Sequence, residues 1–431
     1  MRNKFVVSLT FLLNVVIVVA EAFSLCLTDS LKTTKTAGAY YTGFYRNLFI
    51  ELLGKSESEV TAKIDSAWWQ LFYGDNATQR VYYPVEPDMA YVEDILHRDV
   101  RTEGMSYGMM IAVQYNKKTE FDRLWKWAKT YMQHKSGAAQ GYFAWHCFTN
   151  GVTIDANSAS DGEEWFAMAL FFAAARWGNG QDIFNYQAEA QAILDAMLNK
   201  ESTSDRPDVV TNMFNRKEHQ IVFVPVGNAD DFTDPSYHVP HYYELWSLWA
   251  NKENKFWSEA ATASRQFLKK AAHPLTGLTP DYAFFDGSPM NPPWGGGHVD
   301  FRYDAWRVAM NVALDYVWFA KDNWEIEQSN RLLTFFHAQG MGNYSDLFTI
   351  EGKKLSDNHS IGLAAMNAVA ALAATVECRK DFVTELWNTP TPHGSARYYD
   401  GLLYLLAMLQ VSGNFKIYDL AQHHVPDYIN D

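Results

Sequence analysis

Three acidic residues in this chain have the surroundings that carboxyl chemistry needs. Glu103 opens Glu103-Gly104-Met105-Ser106-Tyr107-Gly108-Met109-Met110, at the start of a helical pattern, with small and apolar neighbours and one nearby charge of its own sign, Asp99. Such surroundings disfavour ionisation, so a carboxyl group there keeps its proton near neutral pH and can donate it. Asp304 lies in Tyr303-Asp304-Ala305-Trp306-Arg307, one helical turn before an arginine. A nearby cation favours the ionised form and suits a base, although a plain ion pair at a helix start explains the same spacing. Asp161 lies in Ser160-Asp161-Gly162-Glu163-Glu164-Trp165, framed by Trp145 and Trp165. Ser160 or Asp161 reads as an N-cap, with Glu163 and Glu164 in the first turn where carboxylates complement the helix dipole. Capping accounts for one or two of these acids and leaves the aromatic frame unexplained.

The elements that must carry these residues read as helices. Periodicity of about 3.6 marks 42–53, 57–72, 104–115, 120–134, 162–176, 186–199, 237–250, 256–271, 303–320, 325–337, 361–376 and 399–409. Strand signals are few, with short ribbons expected near 220–225 and 348–353. Gly, Pro and Asp gather in the connections 230–235, 274–280 and 286–297. No fixed repeat length appears, so consecutive helical pairs are expected to close into a ring of inner and outer helices, with long connections and the site at one end.

Composition narrows the chemistry. The 431 residues include Trp 15, Tyr 24 and Phe 27, enough rings to fill a core and to line a groove on which sugar rings stack. Net charge is −14, which disfavours a nucleic-acid partner. Arg2 and Lys4, the apolar run 5–20 and Ala20-Glu21-Ala22 read as an export signal removed near residue 22, with one domain from about residue 35 to 431. A periplasmic or secreted location follows; lipid anchoring through Cys26 is the alternative, ill-suited by the preceding Leu25. No later stretch is apolar enough for a membrane span. Cys26, Cys147 and Cys378 form no disulfide framework, and no Cys/His spacing suggests a metal. The run Asn291-Pro292-Pro293-Trp294-Gly295-Gly296-Gly297 lacks phosphate-loop spacing.

Glu103-Gly104-x-Ser106-Tyr107-Gly108, the Ser160–Leu170 segment, Asp234-Pro235-Ser236-Tyr237 and Tyr303-Asp304-Ala305-Trp306-Arg307 together resemble glycoside hydrolase family 8, in the family's order and over nearly the whole mature chain. The resemblance implies an (α/α)6 barrel, no cofactor and inversion at the anomeric carbon. It implies Glu103 as general acid, Asp304 as general base and Asp161 as the residue that binds and distorts the sugar. Tyr237 would hold the water, Arg307 would orient Asp304, Trp145 would stack on the sugar before the cut, and Tyr398 and Tyr399 would line the groove. Inversion independently requires an acid and a base about 6.5–9.5 Å apart in opposite protonation states. Apolar neighbours at Glu103 and an arginine at Asp304 supply that difference.

Gly38-Ala39-Tyr40-Tyr41-Thr42-Gly43, Arg123-Leu124-Trp125-Lys126-Trp127-Ala128 and Trp387-Asn388-Thr389-Pro390-Thr391-Pro392 are similar to the xylan-acting branch. Within it the chain resembles enzymes that release xylose from the reducing end of xylo-oligosaccharides. Their groove is closed by a loop, here 355–361, whose His359 would meet the reducing-end hydroxyl or, alternatively, only cap a helix. An endo-xylanase or endo-glucanase is the nearest alternative. A glycan-binding protein without catalysis is a second, opposed by the presence of both Glu103 and Asp304. A lyase or epimerase is a third, with His298 and His359 in no matching constellation.

Overall fold

The computed structural model describes residues 37–200, 209–227 and 229–420. The export signal and Cys26 lie outside them. Among the described residues, twelve helices of ten or more residues follow in order: α1 Glu57–Tyr73, α2 Thr102–Gln114, α3 Lys118–Trp127, α4 Ser160–Trp177, α5 Tyr186–Leu198, α6 Pro240–Trp249, α7 Asn254–Ala271, α8 Val308–Phe319, α9 Trp324–Gln339, α10 Ile361–Ala370, α11 Arg379–Asn388 and α12 Tyr399–Val411.

Burial sorts them into two rings. On α2 every residue except Glu103 is buried, and on α4 the whole stretch Ser160 to Ala174 is. Helices apolar on all sides belong inside. On α1 the buried residues are Val60, Ile64, Ala67, Trp68, Leu71 and Phe72, a single stripe at helical spacing, and a Ser56–Glu59 capping box fixes its start. Even-numbered helices form the inner ring and odd-numbered helices the outer. Contacts run α2–α4, α6–α8, α8–α10, α10–α12 and α12–α2. Trp165 on α4 packs edge-on to Tyr242 on α6 at 5.5 Å and closes the circle. This is the (α/α)6 barrel, and one continuous apolar core draws on all twelve helices.

The helix pattern is displaced in four places. The 42–53 segment divides into Ala39–Thr42 and Leu48–Leu53, the second capped by Asn47. The 303–320 segment begins with a tight 3₁₀ turn, Tyr303–Arg307. The 361–376 segment ends at Ala370. Helix α11 was not expected, because only Phe382, Val383 and Leu386 of its ten residues are buried and the rest of its face is polar.

Strands are short. β1 Tyr82–Val85 and β2 Met89–Val92 pair as a hairpin, and β3 Asp99–Arg101, β4 His146–Phe148 and β5 Thr153–Asp155 form an antiparallel sheet that sequence reading missed. That sheet delivers Arg101 and Glu103 to the mouth of the ring. The ribbon near 220–225 is Gln220–Ile221 on Phe214–Asn215; at 348–353 there are only single bridges from Phe348 to Phe301 and Lys354. Among the described residues no helix is long and apolar enough to cross a membrane.

Candidate active site

A cleft lies across the end where the inner helices begin. One half, a cavity of about 660 Å³, is walled by Trp145, Asp161, Tyr237, Tyr282, Trp294 and their neighbours. The other, about 490 Å³, is walled by Tyr303, Tyr398, Tyr399, Asp400, Asp94 and His97. The two halves share Arg101, Glu103 and Asp304, so the acid and the base stand where the halves meet.

Local sequence explains how the carboxylates reach this line. Glu103 is the second residue of α2, and the glycine behind it makes room: a Cβ at Gly104 would lie 2.5 Å from the Tyr398 ring. With no side chain there, Tyr398 comes close enough to donate its hydroxyl to Glu103 Oε1 at 3.0 Å. Asp161-Gly162 repeats the device, since a Cβ at Gly162 would lie 2.5 Å from Thr102. Asp304 is aimed by the turn Tyr303–Arg307, in which Tyr303 takes φ 36°, a left-handed conformation that costs a non-glycine residue on the order of 1–3 kcal/mol. The Tyr399 hydroxyl, bonded to the Tyr303 carbonyl at 3.1 Å, helps hold the turn.

Arg307 ties the site together. Its Nη1 donates to Glu103 Oε2 at 2.8 Å, to the Tyr107 hydroxyl at 2.6 Å and, at 3.4 Å, to Asp161 Oδ2. Its Nη2 donates to Ser236 Oγ at 2.9 Å and pairs with Asp304 Oδ1 at 3.0 Å. One hydrogen bond, one ion pair and the width of one guanidinium therefore cap the separation of Glu103 and Asp304 below the upper limit of the about 6.5–9.5 Å that admits a water.

The sequence-based account of how acid and base differ needs correction. An arginine at Asp304 and apolar neighbours at Glu103 were to set them apart, but the same arginine touches both. Enclosure supplies the difference instead. Asp304 keeps 29% of its side chain exposed, against 19% for Glu103 and 8% for Asp161. Burial pushes Glu103 above the usual carboxylate range; Arg307 opposes the shift and Asp304 adds to it. Burial likewise carries Asp161 to about 7 against the pull of Arg307. The N-cap of α4 is Ala159, so Ser160 and Asp161 lie inside the helix rather than capping it. Glu163 and Glu164 face inward as structural acids: Glu163 accepts the Phe143 N–H at 2.8 Å and Glu164 accepts the Tyr243 hydroxyl.

Tyr237 is buried on the cleft wall beneath the Arg307 guanidinium, 6.0 Å from its ring centroid. Trp145 lies on the same wall, stacked on His146 at 4.5 Å. His359 is not brought to the cleft. It lines neither cavity; its Nδ1 bonds the Tyr344 carbonyl at 2.9 Å and its Nε2 Glu385 at 3.1 Å. The contact expected between His359 and a reducing-end hydroxyl is therefore corrected: both ring nitrogens already have protein partners. Its neighbour Ser360 bonds Asp400 on the cavity wall at 3.0 Å.

The model of glycosyl hydrolases family 8 matches residues 92–413. The chain belongs to this family. It is 48% identical over 384 residues to the reducing-end xylose-releasing exo-oligoxylanase Rex8A of Paenibacillus barcinonensis, covering 88% of this chain and 98% of that protein. It is 46% identical over 389 residues to a reducing end xylose-releasing exo-oligoxylanase of Halalkalibacterium halodurans, covering 89% and 97%. Among solved structures, a family 8 xylobiose complex from Teredinibacter turnerae superimposes with a TM-score of 0.85 at 49% identity, over 88% of this chain and 100% of that one.

In this family 8 hydrolase the cleft also gathers residues that sequence reading passed over. Arg101, Tyr107, Ser236 and Tyr282 all reach the cleft or its arginine. Tyr107 and Ser236 lay inside quoted motifs, and only their partner 71 to 200 residues away gives them a role.

Proposed function

We propose that this hydrolase cleaves β-1,4-xylosidic bonds in xylo-oligosaccharides with inversion and releases xylose from the reducing end. The observation that carries the reading is the pair Glu103 and Asp304, held by separate nitrogens of one arginine where the two halves of the cleft meet. In this mechanism Glu103 gives its proton to the glycosidic oxygen as the bond to the anomeric carbon breaks. Asp304 takes a proton from the water that attacks from the opposite face. Asp161 binds and distorts the sugar at that carbon, Tyr237 holds the water, and Arg307 orients Asp304. Trp145 stacks on the sugar before the cut; Tyr398 and Tyr399 line the groove beyond it.

The substrate class and the reducing-end preference follow the exo-oligoxylanases to which the chain is similar. A second reading, endo action on xylan, draws on one observation. No residue of 355–361 lines either cavity, so the loop expected to close the groove is not part of its wall. A similar structure is described as a xylanase from Teredinibacter turnerae in complex with xylohexaose. Xylotetraose labelled at its reducing end separates the two: early release of labelled xylose alone supports the exo reading, and a spread of labelled oligomers supports the endo reading. Proton NMR of fresh product is expected to show the α-anomer first; the β-anomer first would remove the inverting mechanism. The same proposal has 1–22 removed on export, leaving 35–431 as one catalytic domain in the periplasm or medium.

A further inference from the structure

Arg101 is the third residue shared by the two halves of the cleft, and the catalytic scheme gives it no work. It ends β3 and immediately precedes α2, two residues before Glu103. Its guanidinium is fixed along one edge: Nε donates to Asp99 Oδ1 at 3.1 Å, and Nη2 meets Asp99 Oδ2 at 3.4 Å and Asp94 Oδ2 at 3.2 Å. Those carboxylates are themselves held, Asp99 by His146 Nε2 at 2.7 Å and Asp94 by His97 Nδ1 at 2.8 Å. The Trp145 ring, stacked on His146, lies 5.6 Å from the guanidinium carbon. The remaining nitrogen, Nη1, has no hydrogen-bond partner among the described residues, and 24% of the side chain is open.

A planar cation whose orientation is fixed by two buried carboxylates, with one free donor edge, is preorganised to bind an oxygen. A buried charge cluster of this kind costs desolvation, and its one unpaired donor belongs to a side chain that lines both halves of the cleft. We propose that Arg101 is a substrate-holding residue, whose free Nη1 donates to a hydroxyl of the sugar next to the scissile bond. The proposal rests on the hydrolase reading of this cleft. It also places a second cation beside the acid. Glu103 faces Arg307 and Tyr398 directly, with Tyr107, Asp304, Asp161 and Arg101 close by, and Arg101 is among the groups that favour its ionised form.

The test measures xylotetraose affinity by calorimetry in a Glu103→Gln background, where turnover does not intrude. Adding Arg101→Lys keeps the positive charge beside Asp94 and Asp99 but removes the planar fork. It is expected to weaken Kd on the order of tenfold or more, the loss expected for one charge-assisted hydrogen bond. Arg101→Met is expected to weaken Kd at least as much. In the active enzyme Arg101→Met is expected to move the alkaline limb of kcat/KM to higher pH, because a cation is lost from beside the proton donor, while Arg101→Lys leaves that limb in place. Equal Kd for Arg101→Lys and its parent overturns the proposal, and so does an alkaline limb that Arg101→Lys moves as far as Arg101→Met. Full turnover by the single Glu103→Gln variant would instead count against Glu103 as the acid, and the affinity comparison would then be read in an Asp304→Asn background.

Discussion

Two arginines in this barrel, Arg307 buried and Arg265 nearly so, each gather three carboxylates, and they hold them differently. Arg307, at the end where the inner helices begin, touches Glu103, Asp161 and Asp304. Arg265, on outer helix α7 and lining neither half of the cleft, touches Glu244, Asp315 and Glu325. Arg265 grips Asp315 with two nitrogens at 2.6 and 2.7 Å, and Lys321 satisfies Glu244 a second time at 2.5 Å. The grip lowers the pKa of Asp315 despite its burial. Arg307 gives no carboxylate a two-pronged bond. It spreads Nη1 over two acids and a tyrosine, so burial wins at Glu103 and Asp161 and both shift upward. Bidentate geometry fixes the charge of Asp315, while burial and Asp315 carry the singly contacted Glu325 up to about 12; divided geometry at Arg307 leaves no acid so fixed.

The largest effect expected is at the cleft. Glu103→Gln and Asp304→Asn should each lower turnover of xylotriose by about 10²–10⁴-fold, with the circular dichroism spectrum unchanged. Activity above a few per cent of the parent in either would erase the functional half of the contrast. Next comes Arg265→Met. Breaking a buried pair leaves uncompensated charge, so urea unfolding should report a loss of about 3–5 kcal/mol, while kcat of the folded fraction stays at the parental level.

A pH experiment sharpens the difference in sign. Asp161 has its folded-state pKa raised from 3.8 to about 7. Its contribution to stability is therefore complete below about 4 and lost as pH climbs through 7. Asp161→Asn should match the parent in melting temperature near pH 4 and exceed it at pH 8. Asp315 is shifted the other way, so its contribution is present above its unfolded value and lost on acidification. Asp315→Asn should melt below the parent at pH 8 and equally so at pH 5, and the gap should narrow only as pH falls below 3.8. Like behaviour of the two variants would dissolve the comparison. The smallest effect is at Gly104→Ala. Alanine favours a helix by about 1 kcal/mol, yet its methyl group would push Tyr398 off the acid. A fall of roughly tenfold in kcat is expected, from the loss of one hydrogen bond to a charged group.

What the sequence revealed and what it hid follow from range. Asp304 and Arg307 are three residues apart, and their pairing was legible. Glu103-Gly104 and Asp161-Gly162 were visible as motifs, but the reason for each glycine, a close approach by Tyr398 or Thr102, was not. The bond from Arg307 to Glu103 spans 204 residues, which is why the environments of acid and base were misassigned. His359 was placed at the substrate because its loop has family character; its partners Tyr344 and Glu385 lie 15 and 26 residues away. Helix α11 escaped because an outer helix with three buried side chains carries little periodic signal.

The hydrogen bond from Tyr398 to Glu103 joins residues 295 positions apart, next to the docking of α12 against α2. A polypeptide emerging from the ribosome has made its proton donor long before the tyrosine that secures it exists. Competence thus arrives with α12, and a chain truncated before residue 398 would carry its proton donor without the tyrosine that secures it.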